Sequence, residues 1–114
     1  MTCVLVADDN RQMAEVLRAS LEDAGYEVVT AYSGLAAVAA VENNDVALAV
    51  LDVLMPGMSG DVVAERLRLI VPDLPIVLMT GGDSAFAATS GLPVLRKPFP
   101  HEELIATVHA LLGR

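Results

Sequence analysis

The segment VALAVLDVLMPGMSG, residues 46–60, joins an almost wholly apolar run to a loop rich in proline and glycine, with Asp52 at the junction. A short apolar run of this kind is typical of a strand that is covered on both faces in a parallel sheet. A carboxylate directly after such a run lies where the strand meets the next loop. The segment therefore predicts a buried parallel strand that presents Asp52 at its end.

Apolar runs of the same kind alternate with stretches of helical periodicity along the whole chain. The predicted strands are residues 3–7, 27–31, 46–51, 75–79 and 93–96. The stretches between and after them are predicted helices, with Ser33 as an N-cap, Gly25 as a C-cap and a weak, short fourth helix around residues 84–90. Such alternation predicts an α/β fold, in which right-handed crossovers place helices on both faces of a parallel sheet. We therefore expect one (βα)5 domain over residues 1–114.

The composition excludes several classes of protein. Fifteen acidic side chains stand against seven basic ones, a formal net charge of −8, and the arginines form no basic stripe, so we expect no direct binding to nucleic acid or to a membrane surface. No apolar run reaches the roughly 20 residues that cross a bilayer, and the start lacks a secretory signal. The single cysteine, Cys3, cannot form an internal disulfide, so the predicted location is the cytoplasm.

Polar side chains follow four of the five predicted strands. Asp8 and Asp9 follow the first strand, Asp52 the third, Thr80 the fourth and Lys97 the fifth. Because ligands of open parallel sheets bind beyond the carboxyl ends of the strands, we expect these side chains to converge at one edge. Taken singly, each aspartate could equally be an N-cap or a solvated turn residue, the threonine an N-cap and the lysine a surface charge.

Three carboxylates at one edge repel one another and favour a hard divalent cation, since Mg²⁺ prefers oxygen ligands. Asp52 would then attack phosphorus, with Lys97 offsetting charge on the phosphoryl oxygens and Thr80 donating a hydrogen bond to one of them. The pattern indicates phosphoryl transfer to a carboxylate. The acyl phosphate would act as a switch, because it adds charge and acceptor oxygens at one point.

Four motifs occur in the order in which the receiver domain of two-component response regulators has them: VLVADDN at 4–10, VLDVLMPGMSG at 50–60, IVLMTGG at 76–82 and VLRKPF at 94–99. The chain resembles that family over essentially its whole length. The resemblance implies a doubly wound, flavodoxin-like parallel sheet of five strands in the order 2-1-3-4-5. It also implies a signalling phosphoacceptor rather than an enzyme, one that catalyses only its own phosphorylation and slow dephosphorylation.

The resemblance assigns the acceptor and the metal ligands by position. Asp52 resembles the phosphoacceptor, and Asp8 and Asp9 resemble the acidic pair that holds Mg²⁺ or Mn²⁺, with Asp9 as the direct ligand. The backbone carbonyl of Leu54 would join Asp52 as a further ligand of the metal.

Two further residues match the family by position. Thr80 resembles the switch hydroxyl and Lys97 the charge partner of the phosphoryl group, and the Lys97–Pro98 bond matches a peptide that is often cis. The implied phosphoryl donor is a histidine kinase or a histidine phosphotransfer domain, and the implied recipient of the signal is a downstream protein. A homodimer is also compatible with the family, as is either a stand-alone regulator or a domain of a hybrid kinase.

The chain departs from the family pattern in two places. Val94 stands at the usual aromatic switch position, so the signal must travel by a route other than rotation of an aromatic ring toward Thr80. The segment from Thr80 to Lys97 is also shorter than usual, and it forms part of the family's common partner surface. Leu54 and Gly82 flank the predicted acceptor, and the apolar Leu54 predicts a phosphoryl group that persists because water attacks it slowly.

Other classes of protein fit these residues less well. The chain has neither the GxxxxGK[ST] motif of P-loop NTPases nor the GxGxxG motif of dinucleotide-binding proteins. An aspartate-nucleophile phosphatase usually has a second aspartate where this chain has Leu54, and 114 residues leave no room for a cap domain. The remaining alternative is a receiver-like interaction module that works without phosphorylation, but such a module has no physical reason to keep Asp9, Asp52, Thr80 and Lys97 together.

Overall fold

A computed structural model describes residues 1–114 as five strands and five helices that alternate along the chain. They are β1 (Cys3–Ala7), α1 (Arg11–Asp23), β2 (Glu27–Ala31), α2 (Gly34–Asn43), β3 (Val46–Asp52), α3 (Gly60–Ile70), β4 (Ile76–Thr80), α4 (Ala85–Thr89), β5 (Val94–Arg96) and α5 (His101–Leu111). The strands form one sheet in the order β2-β1-β3-β4-β5, and every neighbouring pair is parallel. The predicted fold class and strand order are confirmed.

The observed strands differ from the predicted ones by single residues at their ends. β3 and β4 extend to Asp52 and Thr80, because both residues still pair with the neighbouring strand. β4 and β5 begin one residue later than predicted, since Pro75 and Pro93 have no N–H and contribute only a carbonyl oxygen to the ladder. The two functional side chains on β3 and β4 are therefore anchored within the sheet itself.

Helices cover both faces of the sheet, and the buried apolar side chains form two clusters. One cluster lies under α2, α3 and α4, and the other lies under α1 and α5. The strand period of two sends Leu5 into the first cluster and its neighbours Val4 and Val6 into the second. A central strand that serves both clusters has to be apolar where it is covered on both faces, which is the pattern of residues 3–7, 46–51 and 76–79 in the sequence.

Local signals define several helix ends as predicted. Ser33 caps α2 by accepting a hydrogen bond from the N–H of Ala36, and Gly25 follows α1 in the left-handed region at φ 99°. The fourth helix is short, with only five residues, and Ser84 caps it. No helix is both long and apolar enough to cross a membrane.

Candidate functional site

The carboxyl ends of four strands bring the predicted side chains to one edge of the sheet. Asp8 and Asp9 directly follow β1, Asp52 and Thr80 end β3 and β4, and Lys97 directly follows β5. One carboxylate oxygen from each of the three aspartates lies within 4.8 Å of the other two. The three carboxylates thus lie together at the carboxyl ends of the strands, as predicted. Lys97 lies with them, since it pairs with Asp8 and Asp52.

The three aspartates differ in their exposure to water. Asp8 is 0% and Asp52 7% exposed, whereas Asp9 is an exposed residue. The buried pair is oriented by backbone amides: the N–H of Asn10 donates to Asp8 Oδ1 at 2.9 Å, and the N–H of Leu54 donates to Asp52 Oδ1 at 3.2 Å. Buried carboxylates need such partners, because an unpaired one is costly to desolvate.

Lys97 connects the two buried carboxylates. Its Nζ atom donates to Asp8 Oδ2 and to Asp52 Oδ2, both at 2.9 Å, and its side chain is only 21% exposed. Burial lowers the pKa of this ammonium group, but the hydrogen bonds and charges of the two aspartates outweigh burial and raise the pKa above its ordinary value. Lys97 is therefore a fixed positive charge at neutral pH. The Lys97–Pro98 peptide that follows is cis.

The charges at this site do not balance. Burial raises the pKa of Asp52, and the negative charge of Asp8 raises it further. Hydrogen bonds from Lys97 and from the Leu54 N–H lower this pKa, but they do not outweigh burial, so the net direction is upward. Lys97 pairs with the two buried carboxylates, and the exposed Asp9 adds a third negative charge to the cluster. The excess of negative charge is what a divalent cation would offset, and such a cation would also favour the ionised form of Asp52.

The donor set fits a small, hard cation. All three aspartates offer carboxylate oxygens within 4.8 Å of one another, and the cluster contains no nitrogen or sulfur ligand that would favour zinc or copper. Both oxygens of Asp8 already accept hydrogen bonds, from Asn10 and Lys97. Both oxygens of Asp52 likewise accept hydrogen bonds, from Leu54 and Lys97, so the exposed Asp9 has the most available oxygens.

Thr80 lies at the edge of the same site, but its hydroxyl is bonded within its own loop. The buried hydroxyl donates to the carbonyl of Gly82 at 2.6 Å and accepts from the N–H of Gly82 at 3.2 Å. Thr80 also lines a cavity of about 450 Å³ together with Val94 and residues of α4. The small side chain of Val94 leaves this space open, and the hydroxyl would have to leave Gly82 to donate elsewhere.

Sequence reasoning missed the two backbone amides that orient the buried carboxylates. The N–H groups of Asn10 and Leu54 each bind the aspartate two residues earlier in the chain. An aspartate at the start of a turn commonly accepts from the N–H two residues on, so each Asp followed by a loop carried this signal. The same two-residue spacing explains why both carboxylates hold one defined orientation.

Comparisons with known proteins identify the fold and the motifs. A family model described as the response regulator receiver domain matches residues 4–109. The response regulator MprA of Mycobacterium sp. (strain KMS) is 42% identical over 116 residues, an alignment that covers 97% of this chain and 50% of that protein. The chain thus spans about half the length of the curated relatives it matches.

Solved structures show the same architecture. The chemotaxis protein CheY4 of Vibrio cholerae is 30% identical with a TM-score of 0.89, over 97% of this chain and 98% of that chain. The response regulator protein TrrA of Thermotoga maritima, solved in complex with Mg²⁺ and BeF, is 32% identical with a TM-score of 0.87, over 97% of this chain and 99% of that chain.

Proposed function

The chain belongs to the response regulator receiver domain family, and we propose that it accepts a phosphoryl group on Asp52. The observation that carries this proposal is the bridge from Lys97 to Asp8 and Asp52, both at 2.9 Å, beside the exposed Asp9. It gathers a nucleophile, a positive charge and an acidic pair around one point at the edge of the sheet. A receiver-like module that works without phosphorylation would not need this arrangement.

The proposed step is an in-line transfer from a phosphohistidine. A carboxylate oxygen of Asp52 attacks phosphorus, the new O–P bond forms as the N–P bond breaks, and the imidazole nitrogen of the donor keeps the electron pair. Lys97 compensates the negative charge on the phosphoryl oxygens, since its ammonium group already lies at the acceptor carboxylate. The donor is proposed to be a histidine kinase or a histidine phosphotransfer domain, both of which present phosphohistidine.

Asp8, Asp9 and Asp52, with the backbone carbonyl of Leu54, are the proposed ligands of Mg²⁺ or Mn²⁺. When bound, the ion supplies charge neutralisation at the phosphoryl oxygens. Support comes from the oxygen-only donor set within 4.8 Å and from the related TrrA structure, which was solved with Mg²⁺ and BeF.

The proposed output begins with Thr80. Phosphorylation would present new acceptor oxygens to its hydroxyl, which would exchange the carbonyl of Gly82 for a phosphoryl oxygen. Because Val94 offers no ring to rotate, the released Gly82 and the start of α4 would carry the change to a downstream protein. We further propose that water attacks the acyl phosphate slowly beside the apolar Leu54; loss of the phosphoryl group within seconds in Mg²⁺ would contradict this.

We infer a receiver domain over residues 1–114 that works in the cytoplasm, where it meets its phosphohistidine donor. Its partners are proteins, and a homodimer is one form that its output can take. The excess of eight negative charges supports the inference that this chain makes no direct contact with nucleic acid or membrane.

Intact mass spectrometry after incubation with acetyl phosphate and Mg²⁺ tests the proposal. Wild type should gain one phosphoryl group, Asp52→Asn should gain none, and EDTA should abolish the gain. Asp61→Asn is the matched control, because this exposed carboxylate in the first turn of α3 is not one of the three in the cluster, and its loss should leave the gain unchanged. Labelling of Asp52→Asn would show that a residue other than Asp52 accepts the phosphoryl group. Absence of both labelling and beryllofluoride binding in wild type would favour the phosphorylation-independent module.

A further inference from the structure

The loop that follows Asp52, residues 53–59 and here called the acceptor loop, is held between two glycines. Gly60 begins α3, and a Cβ atom placed on it would lie 2.8 Å from the Cα of Val53. Gly34 begins α2, and a Cβ atom on it would lie 2.7 Å from the Cβ of Met58. At both ends the loop lies so close to the start of a helix that a residue with a side chain would not fit in place of the glycine.

The acceptor loop is also bonded to the predicted phosphoacceptor. Its Leu54 N–H donates to Asp52 Oδ1 at 3.2 Å. At its base, the N–H of Val53 donates to the carbonyl of Met79 at 3.0 Å, which fixes the loop to β4. At its far end, Met58 is half-buried against the apolar cluster under α2 and α3. Met58 lies four residues after Leu54 in this loop of seven residues, so a shift of Met58 can pass along the loop backbone to the Leu54 amide.

Gly34 has no backbone requirement for glycine. Its φ is not positive, and it lies inside a helix, where alanine is the better residue. Ser33 caps the helix whichever residue follows it. The missing side chain instead makes room for Met58 and for Val63 of α3, whose Cγ2 atom would lie 2.9 Å from a Cβ at position 34.

We propose that Gly34 is a positioning residue for Asp52. Because Gly34 has no side chain, Met58 can pack directly against it, and this placement of the loop holds the Leu54 N–H in hydrogen-bonding position to the acceptor carboxylate. The inference rests on the proposed role of Asp52. A Cβ at position 34 would have to push the Met58 Cβ from 2.7 Å to the 3.4 Å of ordinary contact, about 0.7 Å. The contacting atom is a Cβ and not the flexible end of the side chain, so the loop backbone has to move with it.

The test compares Gly34→Ala with Val41→Ala, which loosens the same helix at a buried position two turns away. The first readout is the Leu54 amide signal in ¹H–¹⁵N spectra of the metal-free protein, and the second is the rate of labelling by acetyl phosphate with Mg²⁺. Gly34→Ala should shift the Leu54 signal and slow labelling by about 3- to 10-fold, because small misplacements of reacting groups lower rates steeply. Val41→Ala should leave the signal in place and the rate within about twofold.

The outcomes separate this inference from the proposed function. An unmoved Leu54 signal with a normal labelling rate in Gly34→Ala overturns the inference, as does equal slowing in Val41→Ala. If Gly34→Ala does not fold, Met58→Ala tests the position of the loop from the other side, since it removes the half-buried side chain that packs against the apolar cluster, and it should also shift the Leu54 signal. Failure of wild type both to take a label and to bind beryllofluoride would overturn the role of Asp52, whereas the Leu54 signal reports on the loop without any phosphoryl transfer.

Discussion

Replacing Lys97 with methionine should expose how strongly the site depends on one positive charge. The ammonium group donates to one oxygen of Asp8 and one of Asp52, both at 2.9 Å. Methionine keeps most of the length of the stem but removes both hydrogen bonds and the charge. Two carboxylates that are 0% and 7% exposed would then face each other without a counter-ion.

The expected loss of stability follows from the exposure of the pair. Removing one partner of a buried ion pair destabilises a protein by about 3–5 kcal/mol, whereas an exposed pair contributes about 0–1 kcal/mol. The Lys97 side chain is 21% exposed, so water screens the pair in part. We expect a loss of about 2–3 kcal/mol in the free energy of unfolding at neutral pH in EDTA. With a urea m-value of about 2 kcal/mol/M, the unfolding midpoint should fall by about 1–1.5 M.

The loss should depend on pH in a defined direction. Burial already raises the pKa of Asp52, and removing the Lys97 hydrogen bond and charge that oppose burial should raise the pKa further. A carboxyl group with a raised folded-state pKa destabilises the fold above that pKa, and the penalty disappears as pH falls toward its unfolded value of about 4. The difference between variant and wild type should therefore shrink as the pH is lowered from neutral toward about 4–5.

Urea unfolding followed by circular dichroism, at neutral pH and near pH 5 in EDTA, measures this difference. Arg96→Met is the matched control: Arg96 precedes Lys97, is 74% exposed and pairs with Asp83 only at 3.6 Å, so its loss should cost less than about 0.5 kcal/mol. A Lys97→Met variant as stable as this control, or equally destabilised at both pH values, would refute the reasoning. Mg²⁺ should stabilise Lys97→Met more than wild type, since it offsets the same carboxylates.

Three further predictions concern packing and burial in the fold. Leu67→Ala, at a position of 0% exposure, should cost about 2–5 kcal/mol in urea unfolding, and Leu69→Ala, 78% exposed on the same helix, less than about 0.5 kcal/mol. Gly60→Ala, which meets backbone at 2.8 Å, should cost at least about 2 kcal/mol, whereas Gly81→Ala enters open space and should shift the midpoint little; equal midpoints would contradict the close approach. Burial and two nearby carboxylates raise the pKa of the Cys3 thiol, so alkylation by iodoacetamide near pH 8, followed by mass, should be slow in the native protein and fast in urea.

The local pattern of the chain was enough to predict an α/β fold and to group the residues of the site, whereas the strand order came from the resemblance to a family. Runs that are apolar at every position, such as residues 46–51, are typical of a strand covered on both faces, and helical stretches between such strands favour parallel pairing. Once the strands are parallel, the residues after them must meet at one edge, so Asp8, Asp52 and Lys97 could be grouped without coordinates. The roles of these residues are predictions that the experiments above test.

Closer contacts needed the tertiary structure. Only the packed fold shows that Lys97 reaches Asp8 and Asp52 at the same 2.9 Å and that the Thr80 hydroxyl turns to Gly82. The close approach of Met58 to Gly34 likewise involves residues 24 positions apart in the chain, and no local pattern predicts that they meet. Periodicity determines which face of an element a side chain occupies, because it follows from the backbone alone. How closely two faces approach, and which rotamer then fits, depends on every element packed between them.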